Sequence, residues 1–198
     1  MQLQKVWDLT YDEYVQILLK KYGPATSNYV ENGKVVASKA WDRGLECHHI
    51  DEDKFPNLSD IKEAERHPEY QTADRLVYCN RLEHLILHAK IAKMTHNDYN
   101  LRGLIGYFKG GCQLLITRLN DAYTNPPTEF CWNSRVAYRI RDKEALYIQI
   151  LLFIKDDMLE LGYTEDEIHE LFMSHTNEYP AAIEGLLDYV YRNKKIVI

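Results

Sequence analysis

Two histidines stand side by side in the stretch GLECHHIDEDKF (residues 44–55), and two more, His84 and His88, lie four apart in NRLEHLILHAKIAKM (residues 80–94). Four residues is close to one helical turn. On a helix, His84 and His88 therefore project from one face, at the separation where two imidazoles can grip one metal ion. With His48 they make three nitrogen ligands, one from a strand end and two from a helix. Three protein ligands leave coordination positions free for water and substrate, as catalytic rather than structural metal sites do. The adjacent imidazole, His49, is then available for acid/base work, because its unperturbed pKa lies near neutrality. Glu46 and Glu83 flank the histidines, and either can orient an imidazole through its second nitrogen. Taken singly, each feature has a plainer reading: a histidine pair that only makes hydrogen bonds, or two ordinary members of a half-buried helix. Their order and spacing together carry the metal reading.

The segments LECHHI, DRLVYC and EHLILH, taken in that order, resemble the core of the HNH endonucleases, a ββα-metal nuclease family that includes colicin DNases and many phage-encoded enzymes. The run LVYCNRLEHLILHAKI is also similar to the NLVxLTxxEHxxAH pattern of phage HNH proteins. The resemblance covers roughly residues 43–92. It implies a strand ending at the histidine pair, a loop, a second strand and a helix that completes the metal site. Carried onto this chain, it makes His48, His84 and His88 metal ligands and His49 the general base that deprotonates water. The implied activity is metal-dependent hydrolysis of phosphodiester bonds in DNA, double-stranded in the first instance. The implied cofactor is a divalent ion, Mg²⁺ or Mn²⁺ for turnover, with Zn²⁺ or Ni²⁺ also bound by so many imidazoles. One position departs from the pattern. The family asparagine, nine residues before the helix ligand, is Arg75 here; it ties down the loop between the strands and so helps hold the base. Arginine can donate to loop carbonyls but cannot accept. Asn57, Asn80 or a shifted alignment are the alternatives for that role.

The surrounding pattern predicts the elements that hold these residues. Thr10 followed by Glu13 is a capping box opening a helix that stops at Gly23-Pro24. Asn32-Gly33, between NYV and KVVAS, marks a tight hairpin. The polar segment 51–74 reads as loop, with a short helix in SDIKEAERH ended by Pro68. RLVYC is β-prone, and NRLEHLILHAKIAKM reads as a buried amphipathic helix. From about Asn97 onward the chain reads as mainly helical, broken at Pro126-Pro127. Helices are expected up to Gly162, from the Thr164–Glu167 capping box, and over residues 181–195. The expected fold is α+β, mainly helical, with a small ββα-metal core embedded in helices. The division falls near residue 140: a nuclease region over 1–140 and an acidic helical region over 141–198.

The 198 residues are 45 % hydrophobic, enough for one sizeable core. No apolar run approaches membrane-spanning length and no leader is evident, so a cytoplasmic location is the expectation. Cys47, Cys79, Cys112 and Cys131 form no CxxC pair, which argues against an all-cysteine zinc site and a disulfide framework. The net charge of −6 is polarised: +1, −4, +4 and −7 over residues 1–44, 45–91, 92–143 and 144–198. A basic middle segment, including Arg102, Lys109, Arg135, Arg139 and Arg141, suits a polyanion, and Arg43, Lys54 or Arg75 can add phosphate contacts. The acidic helices beyond it suit a protein partner or self-association. Competing readings are a binding module on the same scaffold with catalysis lost at Arg75, an acidic end that masks the basic segment, and a purely structural zinc domain. A phage, mobile-element or restriction/defence setting is where such families usually occur.

Overall fold

The computed structural model describes residues 3–98, 106–108, 111–124 and 131–173. The helix expected over 181–195, the Pro126-Pro127 connection, Arg102 and Lys109 lie outside them. Among the described residues the fold is mainly helical with two small strand pairs, the α+β mixture that the pattern predicts.

Helix α1 (Leu3–Trp7) leads into α2 (Tyr11–Tyr22), whose start is set by the expected capping box: Glu13 N donates to Thr10 Oγ1 at 3.2 Å and Thr10 N to Glu13 Oε2 at 2.8 Å. The buried residues of α2 are Tyr11, Tyr14, Val15 and Leu18, the i, i+3, i+4, i+7 stripe of a one-sided helix. Strands β1 (Val30–Glu31) and β2 (Lys34–Val35) pair antiparallel around Asn32 and Gly33, at φ of 52° and 70°. Both values are left-handed, which is why this two-residue turn takes Asn-Gly.

Strand β3 (Glu46–His49) pairs antiparallel with β4 (Leu76–Cys79), with His48 opposite Val77 and His49 opposite Leu76. Between them lie a compact loop, the short helix α3 (Ile61–Arg66) capped by Asp60, and 3₁₀ turns from Pro68 to Arg75. Helix α4 (Arg81–Thr95) follows β4 directly, and Asn80 caps it by accepting from Leu82 N and Glu83 N. Leu82, Leu85, Ile86, Leu87, His88, Ala89, Ile91 and Ala92 of α4 are all buried. The expectation of an amphipathic helix is corrected here. α4 is enclosed nearly all round, because α2, the β3–β4 pair and later helices pack against different sides of it.

Those later helices are α5 (Gly111–Thr124), α6 (Trp132–Ile140), α7 (Glu144–Glu160) and α8 (Glu165–Phe172). The last two end and begin where the sequence places them, at Gly162 (φ 88°) and at the Thr164–Glu167 capping box. One hydrophobic core runs from Val6 through α2 and α4 to Ile154 and Phe172, so the acidic helices share the core of the histidine-bearing helix. A smaller cluster of Ala25, Tyr29, Ala40, Leu45, Leu76 and Tyr78 backs the other face of β3–β4. All four cysteines are free thiols. No helix among the described residues is long and apolar enough to cross a membrane.

Candidate metal centre

Strand alternation separates the paired histidines. His48 faces α4 and α2, while His49 faces the smaller cluster. The short connection from β4 into α4 brings His84 and His88 over the His48 side, and the three imidazoles each place a nitrogen within 4.8 Å of the others. His84 Nε2 and His88 Nε2 are 3.2 Å apart.

Hydrogen bonds decide which nitrogens carry lone pairs. The Tyr11 hydroxyl donates its single proton to the Ile50 carbonyl at 2.9 Å, so its oxygen accepts from His48 Nε2 at 2.8 Å. His48 Nδ1 is then the bare nitrogen. It is buried and has no hydrogen-bond partner, which is the condition of a nitrogen awaiting a cation. His84 Nδ1 donates to Glu46 Oε2 at 2.8 Å, which leaves Nε2 bare toward His88. Glu46 also accepts from Arg81 Nε at 2.9 Å, and both residues are buried. Burial works to raise the Glu46 pKa, but His84 and Arg81 outweigh it and hold the carboxyl down at about 2. An Arg81–Glu46–His84 chain therefore orients one of the three imidazoles.

The donor set fits a divalent ion. Tetrahedral ligands at the Zn–N distance of about 2.0–2.1 Å lie about 3.3–3.4 Å apart, close to the His84–His88 spacing. Burial, with help from the neighbouring histidines, lowers the pKa values of His48 and His88 well below the ordinary imidazole range, so both stay neutral, the form that binds metal.

A carboxylate that looks solvated in the sequence also reaches this cluster. Glu52 Oε2 lies 3.5 Å from His48 Nδ1 and 3.7 Å from His88 Nε2, and its side chain is only 12 % exposed. Burial pushes its pKa up to about 7, against the opposing charge of His84. Gly111, the first residue of α5, sits flat against the His88 ring; a Cβ there would fall 2.2 Å from three of its atoms.

His49 lies outside the trio. Gln71 Nε2 donates to the Leu58 carbonyl at 3.3 Å, so Gln71 Oε1 faces His49 Nε2 at 3.0 Å and accepts its proton. His49 thus keeps a bare Nδ1. Its ring packs on Tyr29 with centroids 4.4 Å apart, and burial lowers its pKa to about 4 despite the Gln71 hydrogen bond.

Other sequence candidates fall in different places. Glu83 does not orient a histidine: it completes the α4 capping box and accepts from Lys21 and Tyr22. Asn80 is spent on the same cap, and Asn57 is exposed at φ 64°. Arg75 bridges the loop itself, donating to buried Asp51, while its carbonyl accepts from Ile50 N at 2.9 Å. Lys54 pairs with the same Asp51 at 3.3 Å. Arg43 and Arg139 meet, with Arg139 Nε donating to the Arg43 carbonyl at 2.7 Å, and Arg135 lies beside Gly44. Arg141 stacks on exposed Tyr138, 4.0 Å from the ring centre. Tyr11, Glu52, Gln71 and Gly111 were not singled out by the sequence, since nothing in their spacing ties them to the histidines. Compared with models of known protein families, with curated proteins and with solved structures, the chain matches none.

Proposed function

We propose that this chain is a metal-dependent endonuclease of HNH type that hydrolyses phosphodiester bonds in DNA. The observation that carries the reading is the adjacent pair on β3: the unpartnered Nδ1 of His48 toward the three-histidine cluster, and His49, held through Nε2 by Gln71, on the other side of the strand. His48, His84 and His88 would hold the cation, Mg²⁺ or Mn²⁺ in turnover and Zn²⁺ or Ni²⁺ in tight binding. When bound, that ion stabilises negative charge on the phosphate and on the leaving 3′ oxygen. His49 accepts the proton of the attacking water at Nδ1, and Gln71 keeps the other ring nitrogen protonated so that this lone pair is always presented. Asp51 and Arg75 hold the loop that follows the base. Arg43, Arg139, Arg135 and Arg141 on or beside α6, with Lys54 on the loop, are the cations assigned to backbone phosphates.

The burial of His49 favours one second reading. At 1 % exposure, against Tyr29, the base reaches a phosphate only if the site opens, and a scaffold that binds metal and nucleic acid without cutting needs no such opening.

The experiment is cleavage of supercoiled plasmid and single-stranded DNA with Mg²⁺, Mn²⁺, Ni²⁺ or Zn²⁺, beside His49→Ala, with bound metal quantified in both proteins. Cutting that disappears in His49→Ala while metal is retained supports the nuclease. Retained metal with no cutting under any ion selects the binding module.

A further inference from the structure

Once Glu52 is ionised, two of the groups that face each other in the three-histidine cluster bring only electrons. The His48 N–H is committed to Tyr11, so its Nδ1 lone pair points at the Glu52 carboxylate across 3.5 Å with no proton of its own to share. Among the described residues no lysine or arginine pairs with Glu52; its ionic neighbours there are the imidazoles of His48 and His88. Neutral lone pairs do not offset a buried carboxylate, whereas a cation between them satisfies all of these groups at once.

The distances agree. His84 Nε2 to His88 Nε2, His48 Nδ1 to Glu52 Oε2 and His88 Nε2 to Glu52 Oε2 measure 3.2, 3.5 and 3.7 Å. These are three of the six edges of a four-cornered figure, near the edge of about 3.3–3.4 Å expected around zinc; the three imidazoles gather within 4.8 Å of one another, and Glu52 adjoins that group from the His48 and His88 side.

We infer that Glu52 is a fourth ligand, completing a three-histidine, one-carboxylate shell around a divalent cation. The inference rests on the metal-centre reading of the histidines and adds to it a ligand from the loop after β3. Four protein ligands close a tetrahedral Zn²⁺ site, where a phosphate oxygen enters by displacing the carboxylate, whereas six-coordinate Mg²⁺ or Mn²⁺ keeps two positions open beside the same four ligands.

The test is Zn²⁺ affinity of the full chain, measured by competition with a chromophoric chelator, together with the visible spectrum of the Co²⁺ form. Wild type, Glu52→Gln, Asp53→Asn and His84→Ala are compared. Asp53→Asn removes a neighbouring charge without removing the ligand. Glu52→Gln should lower affinity at least about tenfold and change the Co²⁺ bands, while Asp53→Asn changes affinity by less and leaves the bands alone. A crystal structure of the wild type with Zn²⁺ should place a Glu52 oxygen about 2.0–2.2 Å from the ion, which keeps the question answerable if a variant folds poorly. Equal affinity and unchanged bands in Glu52→Gln, or a Glu52 carboxylate away from the ion, overturn the fourth ligand and leave the histidine site standing. A wild type that binds no ion, or a His84→Ala that binds as well as wild type, removes the metal centre itself.

Discussion

Arg75 and Asp51 are joined across the loop that links β3 to β4, the guanidinium donating to a carboxylate that is only 1 % exposed. The same loop is pinned from the backbone, where Ile50 N donates to the Arg75 carbonyl at 2.9 Å. A basic residue at this position therefore does by donation what an amide would do by both donation and acceptance, and Asp51 supplies the acceptor. Arg75→Ala leaves Asp51 with Lys54 alone, at 3.3 Å and on a largely exposed side chain. We expect a loss of about 1–3 kcal/mol in urea denaturation, the range for stranding a buried group. Asp51→Asn should recover part of it, and purely additive losses in the double variant would show that the two residues do not act as a pair.

Glu46 is held between two buried partners, Arg81 at 2.9 Å and His84 at 2.8 Å. Glu46→Gln keeps the shape but removes the charge that orients His84 and neutralises Arg81. Zn²⁺ affinity should fall about 10–100-fold, as it does when a carboxylate behind a metal histidine is lost. Stability should fall too, because Arg81 becomes an unpaired buried cation. Unchanged affinity by chelator competition would mean that packing, not Glu46, sets the ring of His84.

The sequence carries local chemistry well and long-range partnering poorly. Thr10–Glu13, Asn32-Gly33 and Thr164–Glu167 could be read because each device closes within a few residues. His84 and His88 could be read because helical periodicity alone puts them on one face. Tyr11 contacts His48 from 37 residues away, and nothing local to either residue marks that contact. The acidic run Asp51-Glu52-Asp53 looks solvated by composition, yet Asp51 and Glu52 turn inward because Arg75 and the imidazoles wait there. The helix α4 misleads for a related reason: its periodicity is blurred once every side is covered.

Gly111 sets how closely α5 approaches the three-histidine cluster, since a Cβ there would occupy the space of the His88 ring. No flexible chain end can yield, because the obstructing atoms belong to the ring itself. Gly111→Ala should cost about 1–3 kcal/mol of stability, the range for overpacking. It should also weaken Zn²⁺ binding by turning His88 away from His84. Gly111→Ala with native Zn²⁺ affinity would show that α5 shifts instead of the ring.

Acidification should destabilise the metal-free chain. Burial lowers the His49 pKa to about 4 from an unfolded value near 6.5, so His49 stabilises the fold above pH 6.5 and that contribution is lost as pH falls toward 4. The loss is about 2 kcal/mol by pH 5 and about 3 kcal/mol once His49 is fully protonated. His48 and His88, also lowered, act in the same direction. Glu52 acts in the opposite sense, because a carboxyl raised to about 7 gains stability as pH falls from 7 toward its unfolded value. Asp53 and Asp156 are also raised by burial and act with Glu52, but both start from an ordinary aspartate value well below pH 5, so between pH 7.5 and 5.0 the three histidines set the net slope, downward on acidification. Urea denaturation in chelator at pH 7.5 and 5.0 should show it, and His49→Gln should reduce the difference by about 2 kcal/mol. Parallel pH dependence in the two proteins would mean that His49 is not the group being titrated.

The arginines on and beside α6 offer the most direct check on the proposed substrate. Arg139 anchors on the Arg43 carbonyl and Arg141 is spread over exposed Tyr138, so both guanidinium groups are held outward from ordered elements. If they meet DNA phosphates, each neutralised contact contributes about 0.9 to the slope of log affinity against log salt. Arg141→Gln and Arg139→Gln should each weaken binding of duplex DNA and flatten that slope by about one, with little dependence on sequence. Lys54→Gln, on the loop beside Arg75, should do the same if the phosphate track runs from α6 past the metal centre. Binding that weakens for Lys54→Gln alone would move the nucleic-acid path off α6, and unchanged slopes in all three variants would remove this face from the interface.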